Sequence, residues 1–390
     1  MYNEFSVVVE KQPVLELCLF SVILIVWSWV VKTIWRPPEA LQIKTKARLT
    51  LVYIMNLRFM KRTIYTVASL CCLALPAAKA QVYKAEEPFA HTYSIVARDA
   101  KTGEMAVGVQ SHWFSVGTAV PWAEAGVGVV ATQSFVNKSF GPKGLELLKQ
   151  GKSPQEALDI LLAEDEGHEV RQVAILDAQG RVAVHTGKQC VRFAGHTTGA
   201  DFSVQANMML TDKVWPAMAR AFEKNADKPL AERVLLAMQA AEQEGGDIRG
   251  KQSTALVVVR GTASKQPWDD RLIDLRVDDH EKPLDELARL LKVYRAYEHM
   301  NNGDLAVEKG QMDKAMEEYG KAETMFPNNL EMKYWHAITL ANNGNISEAS
   351  KLLSEVYKKD KNWKELTTRL PEVGLLTLKP QDLQRILNVK

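Results

Sequence analysis

Beginning at Thr92, apolar and polar side chains alternate with the two-residue period of a strand. Tyr93, Ile95 and Ala97 fall on one side, and Thr92, Ser94, Val96 and Arg98 on the other. A turn follows at Asp99-Ala100-Lys101-Thr102-Gly103. Beyond it Met105, Val107 and Val109 share a face, while Ala106 and Gly108 on the reverse are small enough to let a second layer come close. The segment 92–111 therefore predicts a β-hairpin in a sheet covered on both sides. Similar patterns predict a third strand over 126–133, a hairpin of 172–176 and 181–185 across Asp177-Ala178-Gln179-Gly180, a strand over 202–209, and a last pair over 254–260 and 271–277. Between these strands the period becomes helical. Gly141-Pro142 opens one helix and Gly151 closes it. Ser153-Pro154 then supplies the N-cap and first-turn proline of the next, whose Ala157, Leu158, Leu161 and Leu162 form a buried stripe. A second helix pair is expected over 212–224 and 230–242. Strands, two helices, strands, two helices, strands is the order of a four-layer αββα sandwich, an α+β fold. A single open α/β sheet would place one helix between successive parallel strands instead.

Beyond Pro283 the pattern is helical only. Gly310 and Gly344, Ala315 and Ala349, and Gly303 and Ala337 each stand 34 residues apart, the period of a tetratricopeptide repeat. The first unit also carries Tyr319, Ala322 and Pro327 at the pattern's spacing, and the second has Val356 and Lys361 in place of the last two. We expect a sandwich domain over 92–283 and an all-α, tetratricopeptide-like domain over 284–390. Two repeats leave a stacking face bare, so the helical part should dock on the sandwich through a helix over 284–300, with 381–387 in a terminal helical segment. Gly310 and Ala315 are expected where two antiparallel helices cross closely. The repeats would offer a surface to a protein partner.

A chain of 390 residues, 46% hydrophobic and 25% charged, is long enough for two domains plus targeting segments. Its net charge of +2, with no basic run interleaved with aromatics, gives no footprint for nucleic acid. Two apolar stretches lie near the N-terminus. Residues 14–31 are long enough to span a bilayer, although Glu16 weakens them. The stretch from Met60 has the form of a signal peptide: Lys61 and Arg62, an apolar run over 67–75, then Ala78-Lys79-Ala80 as a cleavage site. The expectation is that translation starts at Met60, that 1–59 are an over-extended gene model, and that 60–80 direct export to a periplasmic or extracellular location. A membrane anchor follows only if 1–59 belong to the protein. Residues 81–91 then form a short lead-in. Cys18, Cys71 and Cys72 fall in the targeting segments, which leaves Cys190 with no internal disulfide partner and the character of a small buried hydrophobe.

Seven blocks in order resemble the bacterial and archaeal family called domain of unknown function 1028. They are TYSIVARDAKTGEMAVGVQS from Thr92, VPWAEAGVGVVATQ from Val120, GPKGLELLKQG from Gly141, RQVAILDAQGRVAVHTG from Arg171, QANMM from Gln205, GGDIRGKQS from Gly245 and DLRVDDH from Asp274. The resemblance runs from about residue 92 to 297. That family is grouped by fold with the N-terminal-nucleophile (Ntn) hydrolases, and the resemblance implies no settled substrate. It implies that Thr92 is a candidate nucleophile, because in Ntn hydrolases a Thr, Ser or Cys opening the first strand attacks a carbonyl. The residue's own α-amino group, pKa roughly 7.7 to 8.0, acts as base. Signal cleavage after Ala80 would leave 81–91 in front of Thr92, so this mechanism requires a second cut at His91-Thr92. Read without the resemblance, Thr92 is a β-branched residue opening a strand.

The remaining pocket candidates are Arg98, Asp99, Gln133, Ser134, Asn207, Asp247, Arg249, Gln252 and Ser253. Each has a structural alternative: Asp99 and Asp247 form turns readily, Arg249 can pair with a carboxylate, and Asn207 can satisfy backbone groups. His185, His196 and Asp278-Asp279-His280 lack a recognised zinc spacing, no GK[ST] phosphate loop occurs, and no G-x-S-x-G elbow is present. No metal or cofactor is therefore expected. Two functions stay open. One is a secreted, cofactor-independent Ntn-type amidohydrolase acting on a small-molecule or peptide substrate. The other is a non-catalytic ligand-binding or protein/cell-wall interaction module on the same fold, with homo-oligomerisation open for either.

Overall fold

The computed structural model describes residues 89–90 and 92–389. The start-site, signal-peptide and anchor expectations, with Cys18, Cys71 and Cys72, lie outside the described residues.

Two antiparallel sheets form the first part. One contains β1 (Phe89–Ala90), β4 (Pro121–Glu124), β5 (Gly128–Phe135), β6 (Arg171–Asp177) and β7 (Val182–Thr186), where β1 and β4 both pair with β5. The other has the order β11 (Arg271–Val277), β10 (Ser253–Val259), β3 (Met105–Ser111), β2 (Thr92–Arg98), β9 (Phe202–Ala206), β8 (Gly195–Gly199). Strand parity sorts the side chains into layers. Val96, Val107, Val109 and Val257 meet Val129, Ala131, Ala174 and Leu176 in one apolar core. Outside the first sheet, Val130, Val173 and Ile175 pack under α1 (Phe140–Lys149) and α2 (Pro154–Ala163). Outside the second, Tyr93, Ile95, Val204 and Leu256 pack under α3 (Val214–Lys224) and α4 (Leu230–Gln243). The expected αββα layering is therefore present. Gly108 shows how tightly it closes, since a Cβ there would stand 2.4 Å from Val234 Cγ1 of α4. Ser153 and Glu156 make the reciprocal capping box that starts α2.

Departures from expectation have local causes. β4 is half-buried and begins at a proline, and β8 is framed by Gly195 and Gly199, so neither carries a strand signal. The strand expected over 202–209 stops at Ala206. Asn207 turns its N–H to Thr92 O at 3.0 Å, and Met208 adopts a left-handed backbone (φ 59°).

The helix expected over 284–300 runs without a break from Pro283 to Glu308 as α5, 26 residues and about 39 Å long. Its first half contributes Leu284, Leu287 and Leu291 to the sheet-and-helix core, and its second half contributes Ala296, Met300 and Ala306 to the repeat core. α6 (Met312–Met325), α7 (Leu330–Asn342) and α8 (Ile346–Lys359) complete the two helical hairpins. α9 (Asn362–Arg369), α10 (Pro380–Leu387) and the connection between them then cover the last one, burying Leu370, Leu376 and Ile386 against Tyr334, Leu353 and Val356. The expectation for Gly310 needs correction. Gly310 and Gly344 are left-handed turn residues (φ 67° and 83°) with nothing within 4 Å of where a Cβ would lie. Ala315 is buried as expected, but the close crossing falls at Gly303, where a Cβ would come within 2.6 Å of the Tyr319 ring.

Candidate functional site

The two sheets end level with one another. β2 starts at Thr92 opposite Ser111, the end of β3, and Ser253 at the start of β10 lies opposite Ser111 in turn. In the facing sheet Gln133 pairs with Gln172 near the end of β5, and β1 lies beside Ser134 and Phe135. Alternation directs Thr92, Ser94, Ser111, Ser253, Gln133 and Gln172 into the space between the sheets. The valine-rich layer therefore gives way at this end to a polar one in which all six are fully buried.

Burial of so many polar groups requires hydrogen bonds, and amides supply most of them. Gln172 is the hub. Its Oε1 accepts from Gln133 Nε2 at 2.7 Å and from Asn207 Nδ2 at 2.9 Å, and its Nε2 donates to Thr186 Oγ1 at 2.8 Å and Ala206 O at 2.9 Å. These bonds fix which end of each amide is the NH2 group. Three donors converge on the carbonyl oxygen of Thr92: the Asn207 N–H at 3.0 Å, Asn207 Nδ2 at 3.3 Å and Gln133 Nε2 at 3.3 Å. Gln133 Oε1 is a buried acceptor with no donor among the described residues, a cost of about 1 to 3 kcal/mol that a bound N–H or water would relieve.

Backbone strain gathers at the same place. The described non-glycine residues with positive φ are Ser115, Ser134, Asp201 and Met208, and two of these directly follow Gln133 and Asn207. Each costs of order 1 to 3 kcal/mol, and the surrounding structure must hold it in place. On the outer side of Ser134, Arg171 is nearly inaccessible. It donates from Nε to Asp165 Oδ2 at 2.7 Å and from Nη1 to Phe135 O at 2.7 Å. Burial alone would raise the Asp165 carboxyl, but Arg171 and the Gly167 N–H hold it below the usual carboxylate range. Burial pushes the Cys190 thiol up and the His196 imidazole down.

The other sequence candidates divide by position. Ser253 Oγ accepts from Val116 N–H at 3.0 Å and donates to Trp113 O, so it anchors the loop after β3. Asp247 is buried, accepts from His112 N–H at 3.2 Å and pairs with Arg249 at 2.6 Å, tying two loops over the Thr92 end. Gln252 donates its side chain to Asp279 at 3.2 Å, at the rim. Arg98 and Asp99 belong to the far end of the sandwich, because β2 carries them about 20 Å from Thr92. There Arg98 pairs with Asp201 at 2.8 Å and Asp99 caps the hairpin turn through the N–H groups of Lys101 and Thr102. Sequence reasoning missed Gln172 and Ser111. The available signal was parity, since Gln172 shares a strand face with the apolar Ala174 and Leu176. Among the described residues no group of three or more His, Cys, Asp or Glu side chains could hold a metal ion.

A two-sheet sandwich with a threonine opening a central strand at its polar end defines the class of domain. The family model described as a family of unknown function, DUF1028, matches residues 92–287, and the chain belongs to that family. A tetratricopeptide repeat model matches 306–370, which points to protein–protein interaction in general. The crystal structure of protein SPO2555 from Silicibacter pomeroyi, also described under DUF1028, is 28% identical. The match covers 52% of this chain and 88% of that one, with a TM-score of 0.46. No curated protein matches.

Proposed function

We propose that this protein is an exported amidohydrolase of the Ntn type, activated by cleavage at His91-Thr92. The observation that supports it is the setting of Thr92: fully buried at the polar end of the inter-sheet space, first in a central strand, with its carbonyl held by three amide donors. In the intact chain its nitrogen is an amide and cannot take up a proton near neutral pH. The segment just ahead of it runs along the end of β5 as β1. Cleavage releases that segment and creates an α-amine on the residue that carries the hydroxyl. Thr92 Oγ1 then adds to the substrate's amide carbonyl while the amine takes the hydroxyl proton and passes it to the departing nitrogen. The C–N bond breaks, an ester to Oγ1 remains, and water cleaves it to release the acid and restore the hydroxyl. Gln133 and Asn207 are positioning residues in this scheme, since they hold the Thr92 carbonyl and thereby the direction of its side chain.

Intact mass and N-terminal sequencing of the protein isolated from its own host test this reading. A chain starting at Thr92 supports it, with Thr92→Ala inactive and Thr92→Ser partly active. An active preparation starting upstream of Thr92 overturns the amine-base mechanism. The repeats favour a second reading, a module that binds a protein or cell-wall component without catalysis. Export belongs to the proposal through the signal-like stretch from Met60, and peptides from 1–59 in the native protein would contradict it.

A further inference from the structure

Topology places four connections at the Thr92 end of the sandwich: 112–115 after β3, 187–194 between β7 and β8, 207–213 after β9, and 244–252 before β10. Hydrogen bonds lace them together. Met208 N–H donates to Val191 O at 3.0 Å, Ile248 N–H to Met208 O at 3.2 Å, and Leu210 N–H to Gly246 O at 2.9 Å, while Asp247 accepts from His112 N–H. Polar loops at a strand end would be the ordinary expectation, yet each of these carries a large apolar side chain turned to solvent. Phe114 is 62% exposed, Ile248 58%, Leu210 50% and Val191 37%. Among the described residues nine large hydrophobics are exposed. Four of them stand on these loops, against Trp268 alone at the opposite end of the sandwich. A solitary exposed apolar residue needs no explanation, whereas four on hydrogen-bonded neighbours make a patch that a partner group can cover.

We propose that Phe114, Val191, Leu210 and Ile248 form an apolar collar that takes up the hydrophobic part of the substrate, making the substrate an amide with a long aliphatic or aromatic acyl group. This rests on the hydrolase reading, because it is Thr92 that gives the end of the sandwich a reacting amide. The collar and the polar inter-sheet end have complementary duties: one removes apolar surface from water, and the other presents Thr92 to the amide, with the Thr92 carbonyl held by Gln133 and Asn207. Such a division of a few directed polar groups beneath an apolar lining is how small-molecule sites obtain affinity and orientation together.

N-octanoylglycine and N-acetylglycine separate the collar from the chemistry, since they share the amide and differ by six methylenes. Binding of each to the isolated native protein is measured by calorimetry, with released glycine and the intact mass recorded alongside. Burying only two of the methylenes predicts about tenfold tighter binding of the octanoyl compound. Phe114→Ser and Ile248→Ser should remove most of that difference and leave N-acetylglycine unchanged. Equal affinity for the two probes overturns the collar, whatever the N-terminus proves to be. An octanoyl preference without glycine release, in a chain starting upstream of Thr92, upholds the collar and sinks the hydrolase reading instead. Hydrogen exchange on the unsubstituted protein needs no variant: protection at 208–210 and 246–249 on adding N-octanoylglycine supports the proposal, and protection elsewhere alone overturns it. If light scattering shows an oligomer that the serine variants dissociate, a second copy covers the collar and the substrate assignment falls.

Discussion

Gln172→Leu is the sharpest perturbation of the Thr92 environment, because it removes the hub of the amide network and leaves every other residue in place. Not every lost bond costs the same. Gln133 Nε2 and Asn207 Nδ2 lose their shortest acceptor but keep Thr92 O at 3.3 Å. Thr186 and Gly195 are half-buried and their oxygens can turn to water, whereas Ala206 O loses the Gln172 donor inside the protein. One stranded buried acceptor at about 1 to 3 kcal/mol, with two weakened donors at a few tenths each, gives a loss of roughly 2 to 3 kcal/mol. For a cooperative unit of about 300 residues that is a fall in thermal midpoint of roughly 3 to 5 °C. Urea unfolding followed by circular dichroism should show the midpoint moving at constant slope, since the surface exposed on unfolding is nearly the same. In the processed protein kcat should fall more than KM rises, because the substitution loosens the nucleophile's own backbone. Stability within 0.5 kcal/mol of the parent, with activity unchanged, would refute the claim that these amides position Thr92.

Asp165→Asn should cost about 3 to 5 kcal/mol, because it leaves Arg171 buried without its carboxylate partner. The Asp165 carboxyl sits below its ordinary value in the folded chain, so its contribution is present above the unfolded pKa near ~3.9 and disappears as pH falls through the lower folded value. Acid unfolding monitored for parent and variant should therefore converge at low pH. If the Thr92 amine is the base, kcat/KM should rise through roughly pH 7.7 to 8.0 and fall about tenfold per unit below it, and a profile flat from pH 6 to 9 would count against the amine. Gly303→Ala, against the Tyr319 ring, and Ala315→Leu should each lower repeat stability by roughly 1 to 3 kcal/mol, while Pro327→Ala should change little; unaltered melting of both larger variants would contradict the crossing.

Periodicity made the layers legible. Tyr93, Ile95 and Ala97 had to share a covered face, and the small Ala106 and Gly108 implied the close helix that Val234 and Met238 provide. Ser153-Pro154 announced a helix start in local chemistry alone, and Glu156 completes its capping box in the structure. The candidate site was legible in part. Thr92, Gln133 and Asn207 meet because strand ends from both sheets align, and no local pattern records which strand ends come together. Gln172 went unseen for this reason, as one polar letter opening an apolar strand. Arg98 and Asp99 failed in the opposite sense: neighbours of Thr92 in sequence, they were carried away by the rise of an extended chain. β4 and β8 were too short and too rich in proline and glycine to signal themselves.

The uninterrupted α5 sits in two cores at once, and this governs how the molecule comes apart. A loop between domains would let the repeats melt while the sandwich persisted. Here loss of the repeat core strips the partners of Ala296 and Met300 from a helix whose other half is clamped by Leu284, Leu287 and Leu291. Fraying must then travel along a rod toward β11 and β10, the second of which pairs with β3 beside the Thr92 strand. The two halves should share one cooperative heat-absorption peak. A partner gripping the repeats would thus add to the endurance of the sheet that carries Thr92, a coupling written into the length of a single helix.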